Sequence, residues 1–281
     1  MADVDPDEIA SDGVLNNPAA RLLYWLEWGK DCAGVAAQDK LRNSHPGSRT
    51  EPFRVLDVWC QIWELDKDRR ADRLEYHRRA LGMIDAGVEV RRLVARSSNP
   101  MAGPALHHFT EIEAALDHFM GSPDHEIGTM MSKIEGTGWQ SLRLLNSLLA
   151  SEAPQPVLRP AQIADLLKQT NDLIAGVADS DLSEEDRLIL VEKLEEVASA
   201  LTRARVTGTT VVLNASDGLM GALMRLHIRG VDLMSNPVAT AAFALVQALV
   251  LAVGLGADVT QIAGVPLPEL LGLGGPGQAT P

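Results

Sequence analysis

Val238-Ala239-Thr240-Ala241-Ala242-Phe243-Ala244-Leu245-Val246-Gln247-Ala248-Leu249-Val250-Leu251-Ala252-Val253-Gly254-Leu255-Gly256 lies in a part of the chain where no charged residue occurs between Asp232 and Asp258. No side of a helix built from it is polar, so it is not an ordinary surface helix. Three environments suit such a segment: a bilayer, the centre of a helical bundle, or a subunit interface. The side chains expected to meet that apolar surround are Phe243, Leu245, Val246, Leu249, Val250, Leu251 and Val253.

A helix of about 20 such residues crosses a ~30 Å hydrocarbon layer. The nine Val, Leu and Phe side chains contribute roughly −3 to −5 kcal/mol to insertion. Gln247, Thr240 and the glycines offset part of that. In a spanning arrangement, Arg225 and Arg229 would hold the preceding body on the cytoplasmic side, because no Lys or Arg follows Arg229. The tail at 258–281, rich in Gly and Pro, would then be outside and flexible.

Upstream, the pattern is helical. A first helix is expected over about 18–37, carrying Leu22, Leu23, Trp25, Leu26 and Trp28, with Pro18 in its first turn. Arg42-Asn43-Ser44-His45-Pro46-Gly47-Ser48 is turn chemistry. A second helix over about 51–65 places Phe53, Leu56, Trp59, Cys60 and Trp63 at three- and four-residue steps. A third over about 68–96 repeats Leu74, His77, Leu81, Ile84 and Val88 in the same way, as in a seam packed against neighbouring helices. Asn99-Pro100 ends it. Shorter helices are expected at about 104–120, 124–135 and 138–149.

Ser151-Glu152-Ala153-Pro154-Gln155-Pro156 cannot continue a helix and marks an internal boundary. Beyond it an αα-hairpin is expected, its first arm stopping at Gly176 and its second opening on Ser183-Glu184-Glu185-Asp186, a cap followed by first-turn acids. The run 206–213 has strand propensity but no partner, and reads as a link into a helix over about 215–234. The expected fold class is therefore all-α. A multi-helix bundle (17–152) follows an acidic lead-in (1–16) and precedes the hairpin region (157–234), one long apolar helix (237–257) and the tail.

The 46% hydrophobic content supports a core. The net charge of −13 argues against nucleic acid as a partner, since counterion release rewards basic surfaces. Arg69, Arg70, Arg73, Arg78, Arg79, Arg91, Arg92 and Arg96 are interleaved with acids such as Asp72, Glu75, Asp85 and Glu89. Mixed signs at helical spacing form a solvated, ion-paired face. Met1-Ala2-Asp3-Val4-Asp5-Pro6-Asp7-Glu8 reads as neither signal nor transit peptide, so a cytoplasmic body is expected. Cys32 and Cys60 form no disulfide framework or metal motif, and read as reduced thiols.

Catalytic signatures are missing: the chain has no Walker A loop, G-x-S-x-G elbow or dinucleotide fingerprint. No cofactor is indicated. His107, Glu111 and His118 fall on one stripe of the helix expected at 104–120, where two imidazoles and a carboxylate could ligate zinc or iron; the alternative is a partly exposed polar face. Trp25, Trp28, Trp59 and Trp63 crowd the first quarter. Such residues usually anchor a core and less often stack a ligand.

Val55-Leu56-Asp57-Val58-Trp59-Cys60-Gln61-Ile62-Trp63, Leu182-Ser183-Glu184-Glu185-Asp186-Arg187-Leu188-Ile189-Leu190 and Arg203-Ala204-Arg205-Val206-Thr207-Gly208 carry a resemblance, loose over about 50–230, to a widespread uncharacterised family of bacterial all-helical proteins. That family has no assigned activity, so the resemblance implies a helical fold and nothing catalytic. Its members continue as helix after the arginine–glycine region, where this chain has Thr209-Thr210-Val211-Val212.

The leading expectation is a non-enzymatic protein with a sensing or partner-binding body and a C-terminal helix that anchors in or perturbs the inner membrane. A conflict or phage-defence effector is one such role. The alternatives are a soluble scaffold or interaction protein with the apolar helix in its own core or a homo-oligomer interface, and a metal-dependent enzyme using the histidine stripe.

Overall fold

The computed structural model describes residues 15–42, 53–233 and 235–254. The expected acidic lead-in up to residue 14, residues 43–48 of the expected turn, 51–52 of the expected second helix, 255–257 of the expected apolar helix and the Gly/Pro-rich tail lie outside them. Among the described residues the chain is all-helical, with one isolated antiparallel bridge between Arg54 and Glu126.

The N-terminal part comprises α1 (Pro18–Arg42), α2 (Val55–Ile62), α3 (Arg70–Arg96), α4 (Ala102–Ala105), α5 (Phe109–Leu116), α6 (His118–Gly121), α7 (Ile127–Met131) and α8 (Gly136–Glu152). Helix α1 is the hub, packing on α8, α3 and α7. Trp59, Tyr76, Phe109 and Phe119 are fully buried at the centre, and the Tyr76 hydroxyl donates to the Phe119 carbonyl at 3.2 Å. Helix α2 is shorter than its apolar pattern suggests. It starts at Val55, and Phe53 is exposed before it.

Helix α3 corrects the expected seam. Tyr76, Ala80, Met83, Gly87, Val90 and Val94 form the buried side, and they too step by four and three. Leu74, Leu81 and Val88 instead face solvent at 52%, 47% and 63% exposure. Small residues won the core because they let helices approach closely. A Cβ at Gly82 would collide with the Thr207 side chain, and one at Gly87 would press on Leu116. Several charged residues of α3 are ion-paired: Arg79 with Glu75 at 2.9 Å, Arg92 with Glu89, and Arg91 with Glu113.

After the Pro154–Pro156 boundary come α9 (Pro160–Ala178), α10 (Glu184–Thr207), α11 (Thr210–Ile228) and α12 (Pro237–Gly254). Each packs on the next, and α12 returns to α9. The four thus close a ring around a second core that includes Leu190, Leu194, Leu219, Leu223 and Leu249. This differs from a hairpin followed by a separate apolar helix. Helix α9 runs past Gly176 to Ala178.

Two helix ends are fixed by specific chemistry. Ser183 Oγ accepts from the Asp186 amide at the start of α10. Arg229, ending α11, bridges Asp186 at 2.9 Å and Glu185 at 2.8 Å, clamping the two termini together. The β-branched run after Gly208 is neither strand nor link. Gly208, at φ 83°, ends α10, and α11 begins at Thr210 rather than near Ala215. Tertiary packing overrides a propensity difference of well under ~1 kcal/mol per residue.

The two parts meet where α10 crosses α3 and α1. Here Arg21 of α1 is only 3% exposed. It donates to Gln155 Oε1 at 2.8 Å and to the Leu15 carbonyl at 3.4 Å. Burial pushes its pKa down to about 10, with the charge of Glu89 partly opposing. Its guanidinium would lie 2.7 Å from a Cβ at Gly208, so that glycine serves both the turn and the close approach.

Candidate binding site

The apolar helix α12 does not meet a nonaqueous surround along its whole circumference. Phe243, Leu245, Val246, Leu249 and Val253 are buried together with Ala239 and Ala242. Val250 is 44% exposed, Leu251 is half-buried, and Thr240, Ala241 and Ala244 face outward. Among the described residues no helix is long and apolar enough to cross a membrane.

The histidine stripe is not assembled. It presumed one continuous helix, but the segment breaks into α4, α5 and α6, with His107 exposed in the turn before α5. Glu111 turns to the start of α8, where Oε2 accepts from the amides of Glu135 (2.8 Å) and Gly138 (3.1 Å). Its Oε1 accepts from Thr137 Oγ1 and hydrogen-bonds His108 Nδ1, each at 3.0 Å. His118 Nδ1 lies 3.1 Å from the Ala114 carbonyl oxygen. Burial works to raise the Glu111 pKa, but the bonds from Glu135, Thr137, His108 and Gly138 outweigh it and hold the carboxyl below its usual range. Glu111 is thus a carboxylate on a helix N-terminus, favourable to the dipole. Among the described residues no group of three or more His, Cys, Asp or Glu side chains could hold a metal ion.

Burial, then the charge of Asp31, pushes the Cys32 thiol up. Burial, then Asp57 and other nearby charges, pushes Cys60 up to about 11.

The tryptophans divide. Trp59 is fully buried against Phe119, with ring centroids 4.9 Å apart. Trp25, Trp28 and Trp63, with Tyr24, line a cavity of about 260 Å³ at the junction of α1, the end of α2, α3 and α10. Tyr24 meets Trp25 edge-on at 5.0 Å, and Trp25 meets Trp28 at 6.5 Å. Trp25 Nε1 donates to the Arg205 carbonyl at 3.3 Å, fixing the indole to α10. Arg79, Arg205 and Glu64 are also among the lining residues. Trp63 Nε1 is buried and has no hydrogen-bond acceptor among the described residues.

Glu64 is held in the left-handed region, at φ 56°. Its amide donates to Gln61 O at 3.2 Å, and that of Leu65 to Cys60 O at 2.8 Å. This pair of bonds is the Schellman closure of a helix end. The same closure ends α11, where Val231 N donates to Leu226 O, Gly230 N donates to His227 O, and the left-handed residue is Gly230. The tryptophan cluster was visible in the sequence. Glu64, Arg79 and Arg205 were not, because a Glu in a glycine's position carries no local signature and the arginines come from distant helices.

No family model, curated protein or solved structure matches the chain.

Proposed function

We propose that the chain is a helical interaction protein that self-associates through α3, its apolar α12 serving its own second core rather than a membrane. The observation that carries this reading is the exposed row Leu74, Leu81 and Val88, repeated every seven residues on a helix whose opposite side is already buried. Such a row is the seam of a helix pair. A second copy supplies the partner. About an antiparallel two-fold at Leu81, that residue meets itself, and Leu74 meets Val88 of the other copy. Arg78 and Asp85 flank the row on one side, so the same two-fold brings opposite charges together twice.

Burying the five large apolar side chains of α12 in the second core is worth roughly 8–15 kcal/mol as an upper bound. An effector role in bacterial conflict has no observation in its favour.

Size-exclusion chromatography with light scattering tests the proposal. The full chain is expected as a dimer without detergent, and Leu81→Lys as a monomer with unchanged helicity. A monomeric wild-type chain at its highest soluble concentration would overturn it, as would a Leu81→Lys chain that remains dimeric.

A further inference from the structure

Arg21 is a buried cation without a carboxylate beside it. It is 3% exposed, and with a pKa of about 10 it stays charged at neutral pH. Among the described residues it forms no ion pair. Glu89 acts on it only through space, and that carboxylate is itself paired with Arg92. Leaving a buried charge unpaired is costly. The guanidinium uses its donors unevenly. Nη1 donates to Gln155 Oε1 at 2.8 Å and to the Leu15 carbonyl at 3.4 Å. Nη2 has no acceptor among the described residues, yet it is not sealed off as Nε is. It lies against Gly208, where a Cβ would fall 2.7 Å from it.

Arg21 and Gly208 both line a cavity of about 10 Å³, room for roughly one water-sized guest. Its lining contains no acidic residue, and Leu15, Pro156, Leu158 and Ala204 give it apolar walls. Helix α11 starts at the same place, since Thr209 lines the cavity too. The amides of Thr209, Thr210 and Val211 have no acceptor among the described residues. They form the positive end of a 19-residue helix. A lone guanidinium and a helix N-terminus therefore converge on one small space.

We propose that this cavity holds a single monatomic anion, chloride, as the counter-ion of Arg21. One negative charge matches the one buried positive charge. A polyatomic oxyanion is too large for the space, and a water would fill it but leave the charge unneutralised. The ion ties α1 of the N-terminal part to the 156–158 segment and the start of α11, so it belongs to the junction between the two cores. The site does not involve the exposed row on α3, and the two proposals stand or fall separately.

Crystals of the full chain soaked in sodium bromide test the assignment, because bromide takes the place of chloride and scatters anomalously. One bromide is expected beside Arg21 Nη2, cleared by excess chloride but not by sulfate. In solution, chloride should raise Tm saturably, by about 2–4 °C, with ionic strength held constant by gluconate. Arg21→Met should abolish that rise. The proposal is overturned by bromide bound only elsewhere, by a water alone in the cavity, by absence of a saturable chloride response, or by a response that persists in Arg21→Met. The bromide position decides the matter even where Arg21→Met does not fold. Leu81→Lys should keep the chloride response, whatever its oligomeric state.

Discussion

Arg79 donates from Nη1 to the main-chain carbonyl of Trp63 at 3.1 Å, so a side chain of α3 closes the C-terminal end of α2. The same guanidinium pairs with Glu75, and both side chains are largely shielded from water, at 14% and 16% exposure. Removing it strands a carboxylate and a carbonyl together. Arg79→Met is expected to cost about 1–3 kcal/mol in urea unfolding. Glu75→Gln on top of it should cost less than the sum of the two single changes, because the carboxylate then has no charge to leave unpaired.

Glu64 and Gly230 occupy the same position in equivalent helix ends. The left-handed conformation costs a residue with a side chain roughly 1 kcal/mol more than glycine. Glu64→Gly should therefore hold or raise stability, by up to about 1 kcal/mol, measured by thermal and urea unfolding. A clear loss would mean that the Glu64 side chain contributes to the fold.

Glu111 couples stability to acid. Its carboxyl titrates lower in the folded chain than the ordinary 4.5, burial being outweighed by the bonds at the α8 terminus. A lowered carboxyl pKa stabilises the fold above the unfolded value and loses that contribution as pH falls through the folded value. Glu111→Gln should flatten this part of the stability profile between pH 7 and the acid limb, with urea midpoints at successive pH values as the readout. Its cost at neutral pH should be about 0.5–2 kcal/mol, typical of a lost helix cap.

Much of the fold was legible. Ser183 with its first-turn acids marked a helix start that the structure places at Glu184, and the proline pair marked the boundary before α9. What misled was weight given to large aliphatic residues. Leu74, Leu81 and Val88 form a better seam on paper than Ala80, Gly82 and Gly87, yet only the small residues let α3 approach α10 and α5. Leu182-to-Leu190 and similar stretches signal helix but not neighbours, so the ring formed by α9 to α12 was not foreseen. The histidine stripe failed on continuity, since spacing along a sequence places side chains on one face only when the helix is unbroken.

Disulfide trapping across α3 tests the central claim most directly. In a Cys32→Ser background, with the Cys60 thiol buried, Leu81→Cys should oxidise readily to a covalent dimer. A mixture of Leu74→Cys and Val88→Cys chains should give the mixed dimer in preference to either homodimer. Failure of Leu81→Cys to cross-link would contradict the antiparallel seam, and so would preferential Leu74-to-Leu74 bridging in the Leu74→Cys chain.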